Sequence, residues 1–437
     1  MAPSESFAAA PSRELIELIG ELYPICRSIT GAGVRETLAI LQRYIPLELS
    51  EVATGTPVLD WVVPREWNIR DAWIKDESGR RVVDFRESNL HVVNYSTPIR
   101  GHFTLEALRP HLHTLPEQPT AIPYRTTYYE EAWGFCLSQQ QLDALRPGEY
   151  EVCIDSTLAP GSLTYAELVL PGELRDEILI SAHVCHPSLC DDNLSGVVVA
   201  TLLARELARQ ERRRYSVRFL FAPGTIGAIA WLARNKEAAH NIRHGLTLTC
   251  LGDAHPFTYK KTFGGSHEID RIAALVLRAA QLPHQLIDFF PYGYDERQYN
   301  SPGFRLAVGS LMRGRHGQFP EYHTSLDNPN FVNAERLAES YSVLREIIDV
   351  QQKNVTYINL EPYGEPQLGK RGLFRAVGGT GIPGLQFAML WVLSMSDGRH
   401  SLLDVAERSG LPFRDIQTAA TLLLEHQLLA ETRAESV

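Results

Sequence analysis

None of the six cysteines, at positions 26, 136, 153, 185, 190 and 250, forms a C-x-x-C pair. That spacing rules out a zinc-ribbon or thioredoxin-like motif and leaves reduced thiols in a cytoplasmic protein as the simplest expectation. Basic surplus is also missing: 42 Lys and Arg stand against 52 Asp and Glu, a formal net charge of −10. Phosphate backbones demand clustered positive charge, so nucleic acid is not expected as a main partner. No apolar run approaches the ~20 residues of a membrane span, and the longest lies near Phe387–Leu393. The opening M-A-P-S-E-S-F has no basic stretch followed by an apolar core, so no secretory signal is expected there. Repeats and low-complexity tracts are lacking as well. A chain of 437 residues with 44% hydrophobic and 22% charged residues is expected to be globular and longer than one ordinary domain.

What is present centres on one stretch, E-I-L-I-S-A-H-V-C-H-P-S-L-C-D-D-N-L-S-G, residues 177–196. Ile178, Leu179 and Ile180 make a short apolar run suited to a strand buried on both faces. The run leads into His183 and His186, then Asp191 and Asp192. Asn193 to Gly196 open a segment of helical length, V-V-V-A-T-L-L-A-R-E-L-A. Imidazoles and carboxylates thus gather in one loop at the carboxyl end of a buried strand, where open α/β sheets bind ligands. Neutral imidazole with carboxylate suits zinc. A solvated surface loop with capping aspartates remains the plainer alternative.

Along the chain, residues 13–45 read as two helices joined by C-R-S-I-T-G-A-G. Arg27 in that turn either belongs to a simple helix connection or reaches the site to hold a substrate carboxylate. Residues 46–160 change texture to short alternating runs between turn residues, which predicts an inserted β-rich domain. Its Trp61, Trp67, Trp73 and the Tyr124–Tyr129 cluster are expected to fill that domain's core rather than wall a cleft. From Leu163 strands and helices alternate: Ala166–Leu170, Glu177–Ser181, Ser216–Phe221, Leu246–Asp253, Ile287–Phe290 and Leu306–Met312 read as strands. The expected fold class is α/β, a mainly parallel sheet with helices on both faces. After a Pro/Gly-rich connection, residues 354–437 read as a winged-helix-like module. Its second motif helix, Phe413–Glu425, sets Arg414 against Asp415 and Glu425, so docking or homo-oligomer formation is expected instead of DNA binding. Residues 1–45 and 161–353 form the remaining domain.

The central loop resembles the zinc aminopeptidase superfamily that includes bacterial leucyl aminopeptidases and glutaminyl cyclases. Further motifs, L-Y-P-I-C-R-S-I-T-G at Leu22–Gly31, W-N-I-R-D-A at Trp67–Ala72, Y-S-T-P at Tyr95–Pro98 and P-E-Y-H-T-S at Pro320–Ser325, resemble a bacterial aminopeptidase-like family often labelled polysaccharide biosynthesis. The resemblance covers nearly the whole chain and implies a ligand set of His183, Asp192, Asp253 and His323 around one or two zinc ions. His186 and Cys185 flank this set, and either is a candidate for an extra ligand. The resemblance also exposes a departure. The superfamily's Glu-Glu pair, a general base and a metal ligand, is replaced by Gly224 and Thr225 in F-A-P-G-T-I-G.

Another acid must then take the water proton if amide hydrolysis survives. P-Y-G-Y-D-E-R-Q-Y resembles the S-D-H-x-x-F loop that borders the metals, which makes Glu296 the foremost candidate, beside Asp295; Glu321 is a third. Arg297 and Tyr322 are expected to contact substrate. Glu296 is expected within hydrogen-bond reach, ~3 Å, of the catalytic water. The implied activity is metal-dependent cleavage of an amide bond in a small peptide or aminoacyl conjugate. The rival reading is a non-catalytic binding protein that kept the metal cleft.

Overall fold

The computed structural model describes residues 11–373 and 384–432. These form two compact units, one holding the large sheet and the insertion, the other the C-terminal elements together with residues 271–281.

Four neighbouring strands at the middle of the eight-stranded sheet run parallel: Tyr215–Ala222, Leu174–His183, Ile242–Leu248 and Val308–Met312. Ser162–Leu170 and then Glu48–Ala53 extend one side antiparallel. Phe257–Lys260 turns antiparallel on the other side, and His284–Ile287 closes that edge. The sheet is therefore mixed α/β. From Glu177 to its end the central strand Leu174–His183 is wholly buried, as its Ile-Leu-Ile run requires. Helix Gly196–Ala208 packs against it and against helix Ser12–Leu22, burying residues around its whole circumference. Gly196 opens this helix because a Cβ there would stand 2.4 Å from Asn193 Oδ1 and 2.6 Å from the Leu248 carbonyl.

Strand Glu48–Ala53 belongs to the large sheet, so the insertion begins after Ala53 and not at residue 46. Its own sheet is antiparallel, in the order Arg81–Asp84, Glu66–Lys75, Glu149–Ala159, Ile99–Thr104. One continuous cluster of buried residues joins Trp67, Ile74 and Val152 of this sheet to Leu179 and Leu220 of the large one and to Trp231 of helix Ile226–Arg234. The insertion thus shares its core with the domain it interrupts. Trp67 and Trp73 are buried as expected, whereas Trp61 is 44% exposed, on a short hairpin that pairs Pro57–Val58 with Trp61–Val62.

Two strands depart most from expectation. The strand placed at Leu246–Asp253 ends at Leu248, and the one placed at Ile287–Phe290 is His284–Ile287. In the second case Phe289 and Phe290 leave the edge and turn their rings to the Lys260 ammonium, at 5.1 and 4.0 Å.

The C-terminal unit pairs Asp397–Ser401 and Leu429–Glu431 on either side of Thr356–Asn359, with helices Gly384–Met395, Leu402–Ser409 and Phe413–Glu425. Ser401 and Asp404 form a capping box that starts the middle helix. No helix among the described residues is long and apolar enough to cross a membrane.

Candidate metal centre

His183 is the last residue of the central strand, and the loop after it is held from several sides. Asp327 accepts hydrogen bonds from the backbone N–H groups of Cys190, Asp191 and Asp192, at 3.1, 2.6 and 2.9 Å. Burial pushes the Asp327 carboxyl up to about 7 even so. Asp191 accepts from the Gly252 N–H at 2.7 Å, and the Ser195 hydroxyl ties the Asp191 carbonyl to the Leu251 N–H. The loop cannot shift without breaking several buried bonds.

Asp192, wholly buried, is the hub. His183 Nε2 lies 2.9 Å from its Oδ1 and His323 Nε2 lies 3.0 Å from its Oδ2. Burial pushes this carboxyl up, but the neighbouring His186 ring and the hydrogen bonds of His183 and His323 overcome it and hold it well below the ordinary carboxylate range. Ligand atoms of His183, His186 and Asp192 all lie within 4.8 Å of one another. His186 Nδ1 is buried without a partner, and burial lowers this imidazole to about 3, so it stays neutral and ready to donate a lone pair. Three imidazoles and one carboxylate form a donor set that suits zinc. Aromatic rings enclose it: Tyr294 stacks on His183 at 4.9 Å, Tyr322 stacks on His323 at 4.0 Å, and Tyr124 sets its edge against His186 and His323, at 5.1 Å each.

Asp253 does not join this group, contrary to the expected ligand set. Its strand stops five residues earlier, and the chain turns, so Thr249 and Cys250 face the site instead, with Thr249 Oγ1 3.5 Å from Asp192 Oδ1. Asp253 is occupied elsewhere, accepting from the His255 backbone and ring nitrogens at 2.6 and 2.9 Å and from the Gly314 N–H at 2.8 Å.

Glu296 also fails its expected role. Its carboxylate pairs with Lys260 Nζ at 2.7 Å and accepts the Tyr294 N–H at 3.0 Å, with both charged side chains fully buried. It is a structural counter-ion and not an acid facing the metal ligands. Its neighbour Asp295 is the acid that does approach them. A Cβ built on Gly224 would stand 3.2 Å from His183 Cβ and 3.7 Å from Asp295 Oδ1. The Asp295 carboxyl therefore lies close to where a side chain at position 224 would project. Its Oδ1 is buried with no hydrogen-bond partner, and burial pushes the group up to about 7, against the pull of His183. Glu321 is half-buried, and only its backbone carbonyl is engaged, accepting from Thr324.

Residues 16–354 match the model of the family described as "Domain of unknown function (DUF4910)". The chain belongs to that family. Residues 355–431 match a second model, a winged helix-turn-helix. A relative from Clostridium acetobutylicum, named polysaccharide biosynthesis protein with aminopeptidase-like domain, is 52% identical over 417 residues, 95% of this chain and 96% of its own. A crystal structure from the same organism superposes with a TM-score of 0.92 at 50% identity, covering 96% of each chain. The zinc aminopeptidase BSAP of Bacillus subtilis superposes with a TM-score of 0.56 at 11% identity, over 77% of this chain and 94% of its own. That likeness shows a shared peptidase fold.

The remaining candidates of this DUF4910 chain sit as follows. Arg27 is 1% exposed and points inward, its Nε donating to the His186 carbonyl at 2.8 Å and its Nη1 to the Leu22 carbonyl at 2.7 Å. It steadies the backbone of His186 and offers substrate no exposed fork, which corrects its expected contact with a carboxylate. Cys185 donates to the Gly224 carbonyl at 3.7 Å, and burial pushes its thiol up to about 12, so it is no thiolate ligand. Arg297 follows Asp295 by two residues, with its Nε buried and unpartnered. Asp327, legible as the last residue of Y-H-T-S-L-D, escaped sequence reasoning. Tyr124, expected in the core of the insertion rather than at a cleft, instead sits against His186 and His323, because its segment pairs with the His323 loop, its N–H donating to the His323 carbonyl at 2.8 Å.

Proposed function

We propose that the protein is a metal-dependent amidohydrolase or aminopeptidase, with one zinc ion held by His183, His186, Asp192 and His323. The observation that carries this reading is the buried, unpartnered Asp295 carboxyl beside the histidine cluster, in the space left by Gly224. A zinc ion bound there would supply Lewis acidity toward a carbonyl oxygen and toward water. Asp295 Oδ1 then takes the proton released as water attacks the amide carbon and passes it to the departing nitrogen. Tyr124, Tyr294 and Tyr322 exclude bulk water and hold the imidazoles in place, while Arg27 fixes the His186 backbone. The amide belongs to a small peptide or aminoacyl conjugate.

A second reading, a non-catalytic metal-binding member of the fold, draws on the replacement of the Glu-Glu pair by Gly224-Thr225 and on the locking of Glu296 by Lys260. Purified protein should take up one equivalent of zinc, and zinc-loaded protein should release amine from aminoacyl amides. Zinc uptake with no amine released from any aminoacyl amide would favour the second reading, and hydrolysis left unchanged by Asp295→Asn would remove Asp295 as the base.

A further inference from the structure

The loop that carries Asp295 runs beside positive charge with no acceptor. Lys260 is spent on Glu296 and on the Tyr292 carbonyl, at 2.7 and 2.8 Å. Its ammonium lies 4.0 Å from the centre of the Phe290 ring, and the Arg315 guanidinium lies over the same ring at 4.8 Å. The His316 ring stands 6.0 Å from Phe290 and 5.4 Å from Tyr294, whose own ring stacks on His183. His316 is thus one ring away from the metal centre. Gly293 permits this packing, since a Cβ there would fall 2.3 Å from Glu296 Oε1 and 3.0 Å from Lys260 Nζ.

Two groups here have donors or lone pairs and no partner among the described residues. His316 is 6% exposed, yet its Nδ1 is buried and unsatisfied. The half-buried Arg315 side chain makes its contact with the face of Phe290 and forms no hydrogen bond or ion pair. Buried polar groups are ordinarily satisfied, so a gap of this kind calls for an external acceptor. Guanidinium forks match carboxylate and phosphate oxygens, and such charge-assisted bonds are the strong ones. Tyr292, 67% exposed and 5.5 Å from the His316 ring, leaves this wall open to solvent.

We propose that Arg315 and His316 form an anion-binding subsite beside the metal centre, and that the substrate carries a carboxylate or phosphate group besides the bond to be cleaved. The inference deepens the hydrolase reading and rests on it for the identity of that bond. Anion binding itself is tested without the metal. Chelator-treated full-length protein is titrated calorimetrically with succinate, with inorganic phosphate and with neutral succinamide. Either anion should bind, and the one that does names the acidic group. Succinamide should not. Arg315→Gln should weaken the anion about tenfold or more, the range expected for loss of a charged hydrogen bond, and Arg315→Lys should restore part of it. Arg315 is half-buried, so these variants should fold; His316→Gln gives a second, independent loss. The proposal falls if neither anion binds at about 10 mM, or if both variants bind as the parent does. A protein that binds succinate through Arg315 but takes up no zinc would keep the subsite and sink the hydrolase reading.

Discussion

Replacing Asp295 by asparagine preserves the size of a side chain that is 2% exposed and removes its charge. Burial moves this carboxyl from 3.8 to about 7, with His183 pulling it down and Glu296 pushing it up. A displacement of that size corresponds to roughly 4 kcal/mol, an upper figure for the metal-free protein. Its sign follows from which state ionises first. Below about pH 4 folded and unfolded chains both hold the proton and nothing is lost. Between about pH 4 and 7 the unfolded chain ionises while the folded one stays protonated, so stability falls as pH rises, and above 7 the loss is complete. A neutral asparagine escapes this penalty. Asp295→Asn should therefore be more stable than the parent at pH 8, by up to roughly 4 kcal/mol, and equal to it near pH 4. Urea denaturation in chelator at the two pH values reads this directly. With zinc restored, the same variant should turn over about 10²-fold or more slowly, and the parent's kcat/KM should rise with pH as the carboxyl ionises. Parental turnover in the variant, or a variant less stable than the parent at pH 8, would refute the reasoning.

Asp192→Ala should lose most zinc after dialysis, because this carboxylate bonds two of the imidazoles, whereas Asp253→Asn should retain it; elemental analysis decides, and the reverse pattern would overturn the ligand set. Lys260→Met should destabilise the fold by about 3–5 kcal/mol by leaving a buried Glu296 charge unpaired. Adding Glu296→Gln should recover part of that loss in the urea midpoint, and a strictly additive double variant would show that the pair is not coupled. Intact protein should show no sequence-specific DNA retention at physiological salt in a mobility-shift assay, since helix Phe413–Glu425 sets Arg414 against Asp415 and Glu425.

The residues from Glu177 to Gly196 determined much of this protein by themselves. An Ile-Leu-Ile run reads as a buried strand, and S-G before a run of valines reads as a helix start. That pattern located His183, His186 and Asp192 at a strand end, where a sheet presents its ligands. The Y-H-T motif brought in His323. Tertiary structure decided the direction in which each side chain points. Asp253 was expected at the site because it closes the strand read at Leu246–Asp253, as the third ligand of the resembled superfamily does, but the strand ends at Leu248 and the carboxylate turns to His255 and Gly314. Asp295 and Glu296 are adjacent at the start of a four-residue helix, and successive helical positions diverge by roughly 100°. Only one of them can face His183. Lys260, 36 residues earlier in the sequence, claims Glu296 and so leaves Asp295 for the site. Local pattern reports periodicity and strand ends; which acid is neutralised depends on a buried partner brought by the fold, and no window of sequence contains both.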